Sequence, residues 1–317
     1  MTILARLPRR KRRRPRRRRL KSLAIAPTLM TLGNLLCGFA AIHFALQAMY
    51  ALGAGDPGAP AGGGRGSMLA HPPAWFVSVG AILVLLGGVF DFFDGLIARV
   101  TRTASEFGGQ LDSLADAITF GVAPATLMVV FISLELTTEA ILPSPISEHL
   151  VGRAAWLSGA MYVAFAAVRL ARFNVEHAKV DFDYRMFRGL PTPGAACVVV
   201  ALILFQDEMG VTGRAVTVYS MPFVAFILAF LMISRIPYRR FHRAYFLGEK
   251  PFSQVMTFVA LVAVFWLIKV PTLLLLVLWY AASGPLFTFL RIIRDQRRAA
   301  TGRETPAVED ETERKLA

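Results

Sequence analysis

Cysteine is nearly absent. The two in 317 residues, Cys37 and Cys197, lie in different apolar stretches without metal-ligand spacing, so they read as small packing residues and exclude a cysteine-built metal site. Histidine is also scarce: His43, His71, His149, His177 and His242 do not cluster along the chain, and none is assigned to catalysis. No nucleophile elbow, Walker loop or dinucleotide fingerprint stands out, and neither an internal repeat nor a separate soluble domain is visible. Charged residues make up only 18% of the chain against 55% hydrophobic ones, and mean hydropathy is positive. That balance describes an integral membrane protein.

Acids are outnumbered by bases, 21 to 35, for a net charge of +14. Much of the excess sits at one end, where residues 6–21 hold twelve Lys or Arg and no acid. A nucleic-acid arm is the competing reading of such a run. Nothing aromatic interleaves it, and an apolar segment starts directly after it, so we read no nucleic-acid partner. Residues 1–24 are instead expected to be a cytoplasmic tether touching anionic lipid, at about 1 kcal/mol per basic residue near the surface. The first apolar stretch is too long for the core of a cleaved signal peptide.

Eight apolar spans follow, near 26–49, 74–93, 112–134, 152–172, 191–206, 213–233, 254–268 and 271–290. In lipid, backbone groups must be satisfied within the segment, so helices are expected. The fold class is all-α: a polytopic membrane helix bundle of about eight helices, with the last two forming a C-terminal pair. Basic residues alternate between connections. They follow the second span (Arg99, Arg102), the fourth (Arg172, Lys179, Arg185, Arg188), the sixth (Arg235, Arg239, Arg240, Arg243, Lys250) and the eighth (Arg291, Arg294, Arg297, Arg298). By the positive-inside rule both termini face the cytoplasm of a cell membrane. Residues 53–67 are rich in Gly, Pro and Ala and read as an external connection. One membrane domain is expected over 25–294, followed by a disordered charged tail over 295–317.

Four acids break the apolar pattern between the second and third spans. Asp91 and Asp94 are spaced i,i+3, and Asp112 and Asp116 i,i+4. At about 100° per residue each pair projects from one helical face. The stretch 100–110 contains Thr101, Thr103, Ser105, Gly108 and Gly109, enough polar chain to turn back at a membrane surface. The two pairs would then meet near the inner face. An intramembrane carboxylate costs roughly 2.5–3.5 kcal/mol on the lenient insertion scale, so four need a partner. Oxygen donors without His or Cys suit a hard cation such as Mg²⁺ or Mn²⁺, and four carboxylates balance about two such ions. Gly95 and Gly108 leave space on the acid-bearing faces, and Arg99 offers a fork for phosphate. A cation transporter would also carry intramembrane acids, but near midplane on broken helices.

The pattern Asp91-x2-Asp94-Gly95-x2-Ala98-Arg99-x8-Gly108-x3-Asp112-x3-Asp116 resembles the signature of the CDP-alcohol phosphotransferases at every position. Four further stretches resemble the serine-accepting branch of that family, the phosphatidylserine synthases. They are Pro27-Thr28-x2-Thr31-x2-Asn34-x2-Cys37-Gly38, then 111–125, then Arg169-Leu170-Ala171-Arg172-Phe173-Asn174 with Gly189-Leu190-Pro191-Thr192-Pro193, and Met232-Ile233-Ser234-Arg235. Each also has a structural reading: interhelical hydrogen bonds for Thr28, Thr31 and Asn34, close packing for Gly121 and Pro124, snorkelling for Arg169 and Arg172.

The resemblance implies a six-helix catalytic core, transfer of a phosphatidyl group from CDP-diacylglycerol to L-serine with release of CMP, and a homodimer. It implies two divalent cations on Asp91, Asp94, Asp112 and Asp116, with Asp116 also the general base. It implies donor binding by Thr28, Thr31, Asn34, Gly95, Arg99 and Ser105. Arg169, Arg172 and Asn174 are candidates for the serine carboxylate, which a guanidinium grips bidentately. Glycerol 3-phosphate or an inositol phosphate is the alternative acceptor, and would call for more basic residues around the pocket.

Overall fold

A computed structural model describes residues 25–53, 71–101, 106–137, 145–177, 186–205, 210–239 and 270–300. The basic run over 1–24, most of the 53–67 connection, the seventh span at 254–268 and residues 301–317 lie outside the described residues. The helices are α1 (Ile25–Gly53), α2 (Pro73–Thr101), α3 (Glu106–Asp116), α4 (Ala123–Thr137), α5 (Pro145–His177), α6 (Thr192–Phe205), α7 (Gly210–Ile233) and α8 (Val270–Ala300). Six stretches are long and apolar enough to cross a bilayer: Pro27–Gly53, Pro73–Ala98, Glu106–Thr137, His149–Val175, Gly213–Ile233 and Leu273–Leu290. This is a multi-pass helical bundle. Large side chains such as Leu36, Phe39, Phe223 and Trp279 point outward, as lipid-facing residues do.

Helix α6 is the exception among the expected spans. Its 14 residues reach about 21 Å, short of a bilayer's hydrocarbon core. It is apolar all round, which in a helix means burial on every side. Accordingly Val198, Val199, Val200, Ala201 and Ile203 are inaccessible, and α2, α4, α7 and α8 all pack on it. Helix α8 runs on to Ala300, through residues 295–300 that were expected to begin the tail.

Glycines set how closely α1 and α2 approach the third span. A Cβ on Gly38 would run into Thr119, and one on Gly87 would stand 2.6 Å from Thr119 Cγ2. Thr119 is thereby wedged between both helices, and its Oγ1 donates to the Asn34 carbonyl at 2.9 Å.

Between α3 and α4 the chain winds into a π-helical segment, Ala117–Val122, in which the Ala123 N–H bonds to the Ile118 carbonyl. Pro124 has no N–H, so the Phe120 carbonyl four residues earlier loses its α-helical donor. The Tyr162 hydroxyl, from α5, supplies one at 3.1 Å, and Tyr162 is fully buried. Tyr162→Phe should orphan that carbonyl and destabilise the fold by ~1–3 kcal/mol. A lower unfolding midpoint in detergent is the measurement; an unchanged midpoint would show that the carbonyl finds another donor.

A two-stranded antiparallel ribbon joins β1 (Met186–Arg188) to β2 (Pro237–Arg239), the one non-helical pairing among the described residues. It explains why the Gly189 and Met232 stretches occur together. Gly189 has φ +84°, and its N–H bonds to the Ile236 carbonyl at 2.9 Å while Leu190 N–H bonds to the Leu231 carbonyl at 3.0 Å. Any Cβ at Gly189 would stand 2.9 Å from the Ser234 carbonyl and closer still to that of Met232. Positive φ alone costs other residues about 1–2 kcal/mol, so glycine is required twice over.

Candidate metal and substrate site

The two acid pairs meet. Asp91 on α2 and Asp112 and Asp116 on α3 each offer a carboxylate oxygen within 4.8 Å of the others. Asp94 is not in that trio. It is 5% exposed, and its Oδ2 accepts a hydrogen bond from Thr31 Oγ1 at 2.9 Å. Asp116 Oδ1 accepts from Asn34 Nδ2 at 3.2 Å. One face of α1 therefore holds one acid from each pair. All four remain close enough for Asp116 to feel the charges of Asp91, Asp112 and Asp94.

Like charges so gathered in a low-dielectric setting repel unless a cation intervenes. The donor set fits one. Every oxygen comes from a carboxylate, with no His or Cys, as hard divalent cations prefer. Asp112 Oδ1 is buried without a hydrogen-bond partner, an acceptor open to a metal.

Other expected site residues are more dispersed. Thr28 is half-buried in the first turn of α1, three residues before Thr31 and on the same side. Gly95 directly follows Asp94 and is half-buried. Arg99 belongs to the last turn of α2, with its side chain outside the description, and Ser105 lies outside the described residues.

Arg169, Arg172 and Asn174 go three ways. Arg169 is buried, donates from Nη1 to Thr192 Oγ1 at 3.0 Å, and leaves its Nε without a partner. It lies within electrostatic reach of Asp116. Arg172 reaches toward the end of α7, with Nη1 3.5 Å from the Ile233 carbonyl, a marginal hydrogen bond. Asn174 Nδ2 donates to Ser113 Oγ at 2.9 Å, which ties the C-terminal end of α5 to the residue beside Asp112. The pairings Thr31 with Asp94, Asn34 with Asp116 and Asn174 with Ser113 were not foreseen. The only signal was the three-residue spacing of Thr28, Thr31 and Asn34, which marks a polar face on α1 without saying what it meets.

The family described as CDP-alcohol phosphatidyltransferase matches residues 24–234, from the start of α1 to just past α7. The chain is 32% identical over 218 residues to the CDP-diacylglycerol–serine O-phosphatidyltransferase of Helicobacter pylori, covering 69% of this chain and 84% of the relative. It is 28% identical over 255 residues to the protein of that name from Mycobacterium leprae, covering 80% and 69%. The Bacillus subtilis protein of that name is 28% identical over 218 residues, covering 68% and 91%. With its acids converged and more than half its length matched, the chain belongs to the CDP-alcohol phosphatidyltransferase family.

Proposed function

We propose that this protein transfers a phosphatidyl group from CDP-diacylglycerol to the hydroxyl of L-serine, releasing CMP, at a site facing the cytoplasm. The observation that carries this reading is the convergence of Asp91, Asp112 and Asp116, with Asp94 held alongside by Thr31. The four acids would hold two divalent cations, Mg²⁺ or Mn²⁺. Such ions, when bound, polarise a phosphoryl group and offset charge on a departing phosphate.

The chain's own residues do the rest. Asn34 and Thr31 fix the carboxylates of Asp116 and Asp94 from α1. Asp116 takes the serine hydroxyl proton as the serine oxygen bonds to phosphorus and the bond to CMP breaks, so no covalent enzyme intermediate is needed. Arg99, Gly95, Ser105 and Thr28 would line the CDP end of the donor, whose acyl chains stay in the bilayer.

Serine as acceptor is supported by the names of the relatives and by Arg169. A guanidinium buried with a donor to spare, near the reacting acids, suits a carboxylate. Arg172 and Asn174 would border that pocket. Residues 1–24 would act as the tether to anionic lipid, and 25–294 as the catalytic membrane domain.

The test is an acceptor screen on purified protein in mixed micelles with CDP-diacylglycerol. L-serine should release CMP fastest among L-serine, glycerol 3-phosphate and inositol phosphate. Preference for a phosphorylated acceptor would overturn the assignment of serine while leaving the family chemistry in place.

A further inference from the structure

Asp116 and Thr119 stand three residues apart, and both meet the same residue of α1. Asp116 Oδ1 accepts from Asn34 Nδ2 at 3.2 Å, and Thr119 Oγ1 donates to the Asn34 carbonyl at 2.9 Å. One bond holds the Asn34 side chain against the acid and the other holds its main chain, and the circuit closes through the π-helical segment that starts after Asp116. Asn34 and Thr119 are wholly buried, where the low dielectric strengthens both bonds.

Neither partner has room to move. Thr119 is wedged between Gly38 and Gly87, and a Cβ on Gly87 would also stand 3.0 Å from Asn34 Oδ1. That amide oxygen is buried without a hydrogen-bond partner. Leaving it so is destabilising, and an apolar side chain in its place would avoid the penalty. What the amide gains is the bond from Nδ2 to Asp116. Turned over, it would set Oδ1 against the carboxylate, acceptor to acceptor, so an ionised Asp116 selects the orientation observed. At 3.2 Å that bond is already long, and a retreat of α1 by about 0.4 Å would take it beyond hydrogen-bonding distance.

We propose that Thr119 is a positioning residue for the transfer reaction. Its hydroxyl fixes the α1 main chain at Asn34, so that the Asn34 amide keeps the Asp116 carboxylate in the orientation that takes the proton of the acceptor hydroxyl. The proposal rests on the reading of Asp116 as general base given under the proposed function.

The experiment uses the full-length protein in mixed micelles with saturating Mn²⁺ and compares Thr119→Ser with Thr119→Ala. Both lose the methyl that faces Gly87, neither adds bulk, and they differ only in the hydroxyl. Each is made in the parent and in Asn34→Ala; Asn34→Leu, closer in volume, replaces the latter if the smaller side chain does not fold. The measurements are kcat, the KM for CDP-diacylglycerol and for the preferred acceptor, and the unfolding midpoint in chelator. In the parent, Thr119→Ala should turn over roughly fivefold more slowly than Thr119→Ser, about the effect of one hydrogen bond, with both KM values unmoved. Asn34→Ala alone should lose roughly thirtyfold in kcat, as for a bond to a charged group. In that background the kcat gap between Thr119→Ser and Thr119→Ala should close, because no amide is left to aim. The gap in unfolding midpoint should persist there, because Thr119 bonds to the main chain, which the substitution leaves in place.

A kcat gap of equal size in both backgrounds would mean a merely structural hydroxyl and would overturn the proposal. So would the absence of a gap in the parent, or an Asn34→Ala protein with parental kcat. Asp116→Asn separates this result from the reading beneath it. If that variant keeps its activity, the base assignment falls and takes the proposal with it. A large loss there, with Thr119→Ser and Thr119→Ala alike, removes Thr119 alone.

Discussion

Asp116→Asn should lower CMP release by ~10²–10⁴-fold, the usual contribution of a positioned general base, while the protein still folds. The replacement is nearly isosteric, and its amide oxygen can still accept from Asn34 Nδ2 as the Asp116 carboxylate does now. What is lost is a negative charge in a cluster with three others. Without a metal that loss relieves repulsion, so the variant should be at least as stable as the parent in chelator. Falling activity with undiminished stability is the pattern of a functional site that strains its own fold. Activity within a few-fold of the parent would remove Asp116 from the role of base.

Chelation should abolish transfer in the unaltered protein, and Mg²⁺ or Mn²⁺ should restore it. A second readout is independent of catalysis. The carboxylates of Asp91, Asp112 and Asp116 stand within 4.8 Å of one another, so an ion bound there stabilises the folded state by linkage. At a hundred times its dissociation constant the gain is about 2.7 kcal/mol, which appears as a higher unfolding midpoint. Asp112→Asn should blunt that gain, because its buried Oδ1 has no other partner. Full activity in chelator, or a midpoint indifferent to divalent ions, would end the metal reading.

The helical bundle and the acid centre were readable because both depend on local rules. Apolar runs of sufficient length mark spans, and i,i+3 and i,i+4 spacings keep Asp91 with Asp94 and Asp112 with Asp116 on common faces whatever surrounds them. What could not be read depends on partners far away in the chain. The π-helical segment needs Tyr162 of α5 to satisfy a carbonyl that Pro124 leaves unpaired. The turn at Gly189 is shaped by carbonyls of α7 and the residues after it. Asn34 looks like any polar residue in a membrane helix until Asp116 is seen opposite it. The same holds for Arg169, whose place between α5 and α6 gives a snorkelling arginine a buried hydroxyl partner instead.

The wide turn after Asp116 also separates two jobs that one helix would otherwise have to do together. In a regular helix, the angle at which Asp112 and Asp116 project would be locked to the angle at which Phe120, Leu127 and Phe131 pack, about 100° per residue. The π-helical segment at Ala117–Val122 inserts one extra residue into that turn, so the acid face and the packing face stand at an angle a regular helix would not give them. Removing a single residue from that segment would rejoin the two angles and turn the carboxylates roughly a quarter-circle away from Asp91.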